Sequence, residues 1–179
     1  MTASARFSTG AGRVFSTGAD LTGRGSARKD AHTPLGMRIS TFGFSRMVNA
    51  IWALEKPVVC AVNGAAAGAG CNLVLSCDLV MAADTAKFIQ VFVRRRLIPD
   101  GGGACFLPRL VGLLRAKQLM MLGEDLPASR ALEWGLIYDI VAADKLMDEA
   151  MKTAQRLACG PTRAIGMTKS MLKMRESFE

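Results

Sequence analysis

Residues 57–72 read Pro57-Val58-Val59-Cys60-Ala61-Val62-Asn63-Gly64-Ala65-Ala66-Ala67-Gly68-Ala69-Gly70-Cys71-Asn72. The apolar run 57–62 opens on proline and stops at Asn63-Gly64, as a strand buried on both faces does. The residues after it are nearly without side chains, with glycines at Gly68 and Gly70. They predict a tight turn into a buried helix over 65–76. Upstream, Met47, Val48, Ile51, Trp52 and Leu54 recur at helical spacing. That helix must stop at Lys56-Pro57, because a residue preceding proline is pushed out of the α region. Downstream, Leu79 to Ala82 is a second short buried strand, and Ala86 to Val93 reads as strand and turn.

The same alternation continues to both ends. Residues 1–12 are small and polar, an irregular lead-in; Arg13 to Ser16 is a strand candidate broken by Thr17-Gly18-Ala19-Asp20. Residues 22–34 form a polar loop, expected to be the most mobile internal segment. Leu107 to Leu122 predicts a helix ended by Gly123, and Pro127 opens a short helix to Trp134. Leu136 to Val141 is a strand. Leu146, Met147, Ala150, Met151, Ala154, Leu157 and Ala158 mark an amphipathic helix, ended by Gly160-Pro161 and followed by a last basic helix. Short strands alternating with helices define an α/β fold, in one core domain from 13 to 179 with no repeat or internal linker.

Bulk properties exclude several functions. Half of the 179 residues are hydrophobic, enough for a sizeable core. No apolar run is long enough to cross a bilayer, and the first thirty residues lack the apolar stretch of a secretory signal. Five scattered cysteines without a C-x-x-C pair read as reduced, mostly buried thiols of a cytoplasmic protein. The net charge of +8 suits a nucleotide-bearing ligand. It does not argue for nucleic acid, because only Arg94-Arg95-Arg96 is a dense basic run and aromatics are few.

Three segments are unusual for plain core packing. Phe15-Ser16-Thr17-Gly18-Ala19-Asp20-Leu21 runs a strand into a glycine turn, which either simply ends the strand or aims the Ala19 N–H into a cleft. The stretch from Asn63 to Asn72 either packs strand on helix or exposes main-chain N–H groups to an anionic ligand. Pro99-Asp100-Gly101-Gly102-Gly103 carries an acid that is either a helix N-cap or a general base.

Together these segments resemble the enoyl-CoA hydratase/isomerase (crotonase) family. The matching motifs occur in the family's order: Phe-Ser-x-Gly-Ala-Asp-Leu, Lys-Pro-Val-Val-x-Ala-Val-Asn-Gly-x-Ala-x-Gly-x-Gly, Cys-Asp-Leu-Val-x-Ala and Ala-Lys-Phe. Leu97-Ile98-Pro99-Asp100-Gly101-Gly102, Leu107 to Gly112, Ala131 to Leu136 and Gly160-Pro161-Thr162 continue the match, which spans roughly residues 11 to 175. The motifs are closest to those of 1,2-epoxyphenylacetyl-CoA isomerase-like members.

The resemblance implies a crotonase-like ββα spiral core. It also implies an acyl-CoA substrate whose thioester oxygen sits between the N–H groups of Ala19 and Ala69. Donors fixed in this way stabilise an enolate, each worth about 3 kcal/mol. Around the substrate the resemblance places Ser16, Gly18, Asp20, Leu21, Gly64, Gly68, Asn72, Phe92 and Pro99. Family hydratases carry two glutamates where this chain has Asn72 and Phe92. Family isomerases carry an acid at the position of Asp100. The resemblance therefore implies isomerase-type proton transfer by Asp100, with no metal and no cofactor beyond the coenzyme A of the substrate. It further implies no nucleic-acid or membrane partner, and assembly as a homotrimer or dimer of trimers.

Two departures stand out. Arg94-Arg95-Arg96 replaces a small apolar pair and glycine, so Arg96 either crowds the acyl pocket or lies in a solvated basic loop. The chain is also short, with N-terminal strands and C-terminal trimerisation helices expected to be missing or shortened. Other readings are a hydratase using different groups, a non-catalytic subunit, and a dinucleotide-binding module. The last fails the G-x-G-x-x-G pattern, whose third glycine would fall at Leu73. A serine or cysteine hydrolase is disfavoured, since the only histidine, His32, lies in a polar loop far from any nucleophile motif.

Overall fold

Val58–Val62 forms β2, buried at every residue, and sits inside a parallel sheet as its unbroken apolar run requires. The computed structural model describes residues 5–19 and 34–175. β1 (Arg6–Thr9), β2, β4 (Leu79–Ala83) and β7 (Asp139–Val141) lie side by side in that order, all parallel. A second sheet orders β3 (Ala65–Ala67), β5 (Lys87–Ile89) and β6 (Asp125–Pro127), with β3 and β5 parallel and β6 antiparallel. The helices are α1 (Pro34–Ala53), α2 (Ala69–Leu75), α3 (Gly103–Val111), α4 (Leu113–Leu122), α5 (Ala128–Glu133), α6 (Leu146–Cys159) and α7 (Thr162–Arg175). A 3-10 helix spans Val91–Arg95. The core joins β2 and β4 to Val74 and Leu75 of α2, Phe106 and Leu107 of α3, and Leu146, Ala150 and Ala154 of α6. Among the described residues no helix is long and apolar enough to cross a membrane.

The α/β class follows from the sequence, but several boundaries differ. Arg6–Thr9, expected in an irregular lead-in, is a strand in register with Val58–Ala61, and Thr9 Oγ1 donates to the Ala61 carbonyl at 2.9 Å. Arg13 to Ser16, expected to be the strand, makes only an isolated bridge between Ser16 and Ala66. The single helix expected over 107–122 is two, because Gly112 adopts φ +82° between α3 and α4. Pro127 ends β6 and caps α5 instead of opening the helix. Most of the expected mobile loop, with His32, lies outside the described residues.

One ion pair clasps the last helix to the sheet. Lys169 Nζ donates to Asp78 Oδ2 at 2.5 Å and to the Lys56 carbonyl at 3.2 Å. The same carboxylate oxygen accepts the Val58 N–H at 2.8 Å. The lysine side chain is 7% exposed and the aspartate 23%. Removing one member of a fully buried pair costs about 3–5 kcal/mol. Asp78 keeps some water and its main-chain donor, so Lys169→Met is expected to cost about 2 kcal/mol. The urea midpoint should fall at unchanged slope, and an unchanged midpoint would show the clasp to be neutral.

Candidate active site

The site is built where the second sheet meets α2. Asn63 Nδ2 donates to the Gly12 carbonyl at 2.7 Å and holds the turn that precedes Phe15. The N–H groups of Phe15 and Ser16 then donate to the Ala65 carbonyl at 3.0 and 3.1 Å, and the Ala67 N–H donates to the Ser16 carbonyl at 2.8 Å. The segment is thus laid along β3, with Gly18 at its end. Gly18 has φ +90°, a conformation other residues avoid. A Cβ there would lie 3.0 Å from the Ala67 carbonyl oxygen and 3.4 Å from the Ala69 nitrogen. The turn before Ala19 therefore rests directly against the Ala69 N–H. Among the described residues neither the Ala19 nor the Ala69 N–H has an acceptor.

Gly68, at φ +54°, makes the second turn; its N–H donates to the Ile89 carbonyl at 2.9 Å. Phe92 and Val91 wall this turn: a Cβ on Gly68 would lie 3.1 Å from Val91 Cγ1 and 3.9 Å from Phe92 Cζ. Gly64 is pressed against the main chain of Arg13 and Val14. Asp20 and Leu21 lie outside the described residues.

Ala69 opens α2 with its N–H free at the helix N-terminus, and Asn72, one turn further on, carries the anchor of the acid loop. Asn72 is fully buried, and its Nδ2 donates to the Asp100 carbonyl at 2.7 Å. The Asp100 loop packs against aromatic rings. Gly101 meets Phe44, Gly102 meets Phe106, and Phe106 lies 4.8 Å from Trp52. Asp100 is not the N-cap of α3; that position belongs to Gly102. Its Oδ1 is buried and has no hydrogen-bond partner among the described residues. Burial raises the Asp100 carboxyl above its ordinary range, opposed in part by its own backbone N–H. Pro99, half-buried, precedes it in the loop.

The basic run faces solvent. Arg94 pairs with Asp125 at 2.7 Å, and Arg95 and Arg96 are exposed. Arg96 does not crowd the site, yet it is the one non-glycine residue at positive φ, +57°, among the described residues. A side chain in the left-handed region costs about 1–2 kcal/mol. Arg96→Gly is accordingly expected to stabilise the fold by about 1 kcal/mol, since glycine returns part of that gain as unfolded-state entropy. Differential scanning calorimetry should show a higher Tm; a lower one would refute the strain.

The cysteines are free among the described residues, but not mostly buried: Cys60 and Cys71 are buried, whereas Cys105 and Cys159 are exposed. Desolvation pushes the Cys71 thiol up to about 12, against hydrogen bonds from Ile89 and Gln90, so this thiol beside the site is a poor nucleophile. Reading the sequence missed Gln90, which is buried and donates from Nε2 to Asn72 Oδ1 at 2.9 Å. A lone amide inside Phe88-Ile89-Gln90-Val91-Phe92 was the available signal.

The fold and site define a class: two sheets of short, mostly parallel strands that carry two main-chain N–H groups without acceptors among the described residues, and a half-buried acid on a loop anchored to α2. The sequence profile of the enoyl-CoA hydratase/isomerase family matches residues 7–178, and the chain belongs to that family. It is 43% identical to the 1,2-epoxyphenylacetyl-CoA isomerase of Escherichia coli, over 94% of this chain and 64% of that protein. It is 40% identical to a probable enoyl-CoA hydratase of Rhodobacter capsulatus, over 90% of this chain and 61% of that protein. The crystal structure of an enoyl-CoA hydratase from Mycobacterium avium subsp. paratuberculosis superposes with a TM-score of 0.85 at 37% identity, covering 97% of this chain and 67% of that one. This is the crotonase fold. The chain spans less than two thirds of the length of these two curated relatives.

Proposed function

We propose that the protein isomerises acyl-CoA thioesters by proton transfer through Asp100. The Asp100 carboxylate takes a proton from the carbon α or γ to the thioester. The bonding electrons move onto the thioester oxygen, which the N–H groups of Ala19 and Ala69 hold as an enolate. The proton then returns at a different carbon, and the double bond moves without a change in mass. Coenzyme A belongs to the substrate, and no separate cofactor is required. The reading places the protein in the cytoplasm, as a homotrimer or a dimer of trimers.

The observation that carries this reading is Asp100 itself: a buried, unpartnered carboxyl oxygen on a loop anchored to the helix that begins with Ala69. The positions where family hydratases hold two glutamates are filled by Asn72 and Phe92, so neither position offers a carboxylate to activate water. The name of the Escherichia coli relative, an isomerase, supports the same direction.

Mass-resolved product analysis with crotonyl-CoA and a 3-enoyl-CoA tests it. An unchanged mass with a moved double bond is expected, and a gain of water would make the protein a hydratase.

A further inference from the structure

Gln90 occupies a place that an apolar residue would fill at less cost. It is 2% exposed, between Ile89 and Val91 at the end of β5. Its Oε1 is buried with no hydrogen-bond partner among the described residues. A buried acceptor left without a partner is destabilising, so its presence calls for a reason other than packing.

The direction of its other bonds supplies one. The Asp100 carbonyl can only accept, so Asn72 must turn its Nδ2 toward it. Asn72 Oδ1 is thereby turned toward Gln90 and needs a donor, which Gln90 Nε2 provides at 2.9 Å. The direction of one amide fixes that of the next. Gly103 closes the far side: a Cβ there would lie 2.5 Å from Asn72 Oδ1, so the amide has one seat. At its other end the relay is tied to the donor turn, because the carbonyl of the preceding residue, Ile89, accepts the Gly68 N–H. Gln90 thus joins the turn that presents Ala69 to the loop that presents Asp100.

We propose that Gln90 is a positioning residue: it acts through the Asn72 amide to hold Asp100 in register with the main-chain donors. The proposal rests on the reading of Asp100 as the proton-transfer group. Its effect is on placement and hydration of the carboxyl, not on contact with substrate. Loss of the relay frees the loop, admits water to the carboxyl and misplaces it, and misplacement of about 1 Å can lower a rate by about 100-fold.

The test uses Gln90→Met, which keeps length and apolar bulk without the amide, and Gly103→Ala, which displaces the same Asn72 amide from outside. Two quantities are read in the full chain. One is the pH titration of the Asp100 carboxyl carbon by 13C NMR; the other is kcat and KM with a 3-enoyl-CoA. In both variants the Asp100 titration is expected to move down toward the ordinary aspartate range, with kcat lowered about 10- to 100-fold at nearly unchanged KM. A folded Gln90→Met protein with wild-type titration and kcat would overturn the proposal, as would Gly103→Ala doing the same. A lower melting temperature alone, with both readouts unmoved, would assign Gln90 to packing. If Asp100→Asn leaves turnover intact, the proton-transfer reading fails instead; if Asp100→Asn abolishes turnover while Gln90→Met does not lower it, only the relay fails.

Discussion

Asp100→Asn should lower turnover by about 10²- to 10⁴-fold, the usual contribution of a positioned general base, while acyl-CoA binding changes little. Asparagine preserves shape but cannot accept a proton from carbon, so exchange of substrate α- or γ-protons into D2O should fall in parallel. Retained exchange would show that another group moves the proton. The pH dependence follows from the direction in which the Asp100 carboxyl is displaced. Burial raises it, so kcat/KM should rise with pH through a midpoint above the ordinary aspartate range. The stability effect has the opposite sign. The folded protein holds the Asp100 proton more tightly than the unfolded chain does, so stability falls as pH rises from the ordinary aspartate value through the raised one. Asp100→Asn removes that penalty. The variant should therefore be inactive yet at least as stable as the parent near neutral pH, a combination that separates loss of chemistry from loss of fold.

Gly18→Ala should lower kcat by about 10²- to 10³-fold, the effect of losing one oxyanion donor. The added methyl meets the Ala67 carbonyl at 3.0 Å and the Ala69 nitrogen at 3.4 Å, in a backbone conformation at φ +90° that alanine resists. The turn must shift, and with it the Ala19 N–H. On the proposed reading the donors grip the enolate more tightly than the ground-state thioester, so KM should change far less than kcat. Steady-state kinetics beside a thermal melt decides the matter: unchanged kcat in a folded variant would remove this turn from the mechanism.

Sequence patterns revealed those parts of the molecule whose local signal agrees with their environment. β2 was readable because burial on both faces demands an unbroken apolar run. α6 was readable because its buried face repeats at helical spacing. β1 was not, since Arg6-Phe7-Ser8-Thr9 has no strand signature of its own and owes its conformation to pairing with β2. The break at Gly112 was hidden because apolar residues continue across it, and periodicity does not register a single reversed φ. At the site, α2 carries both Ala69 and Asn72, and Asn72 holds the Asp100 carbonyl, but spacing alone left each reading open. Gly18 against Ala69, and Asn72 against the Asp100 carbonyl, are contacts between segments distant in sequence. Gln90 escaped notice because what distinguishes it, an amide whose direction is dictated by a neighbour's, exists only in three dimensions.

The Lys169–Asp78 clasp also has a kinetic meaning. The two residues are separated by 91 positions, and the carboxylate is oriented by Val58 of β2. The acceptor is complete only once β2 and the start of β4 have met, so the last helix is expected to dock on a sheet already formed. Closing so long a loop brings little reward until then. Contacts made after the folding barrier leave the folding rate nearly untouched and govern the rate of unfolding. The clasp is therefore expected to act as a latch: Lys169→Met should shorten the time the native state lasts before it opens, and leave the time taken to reach that state almost unchanged.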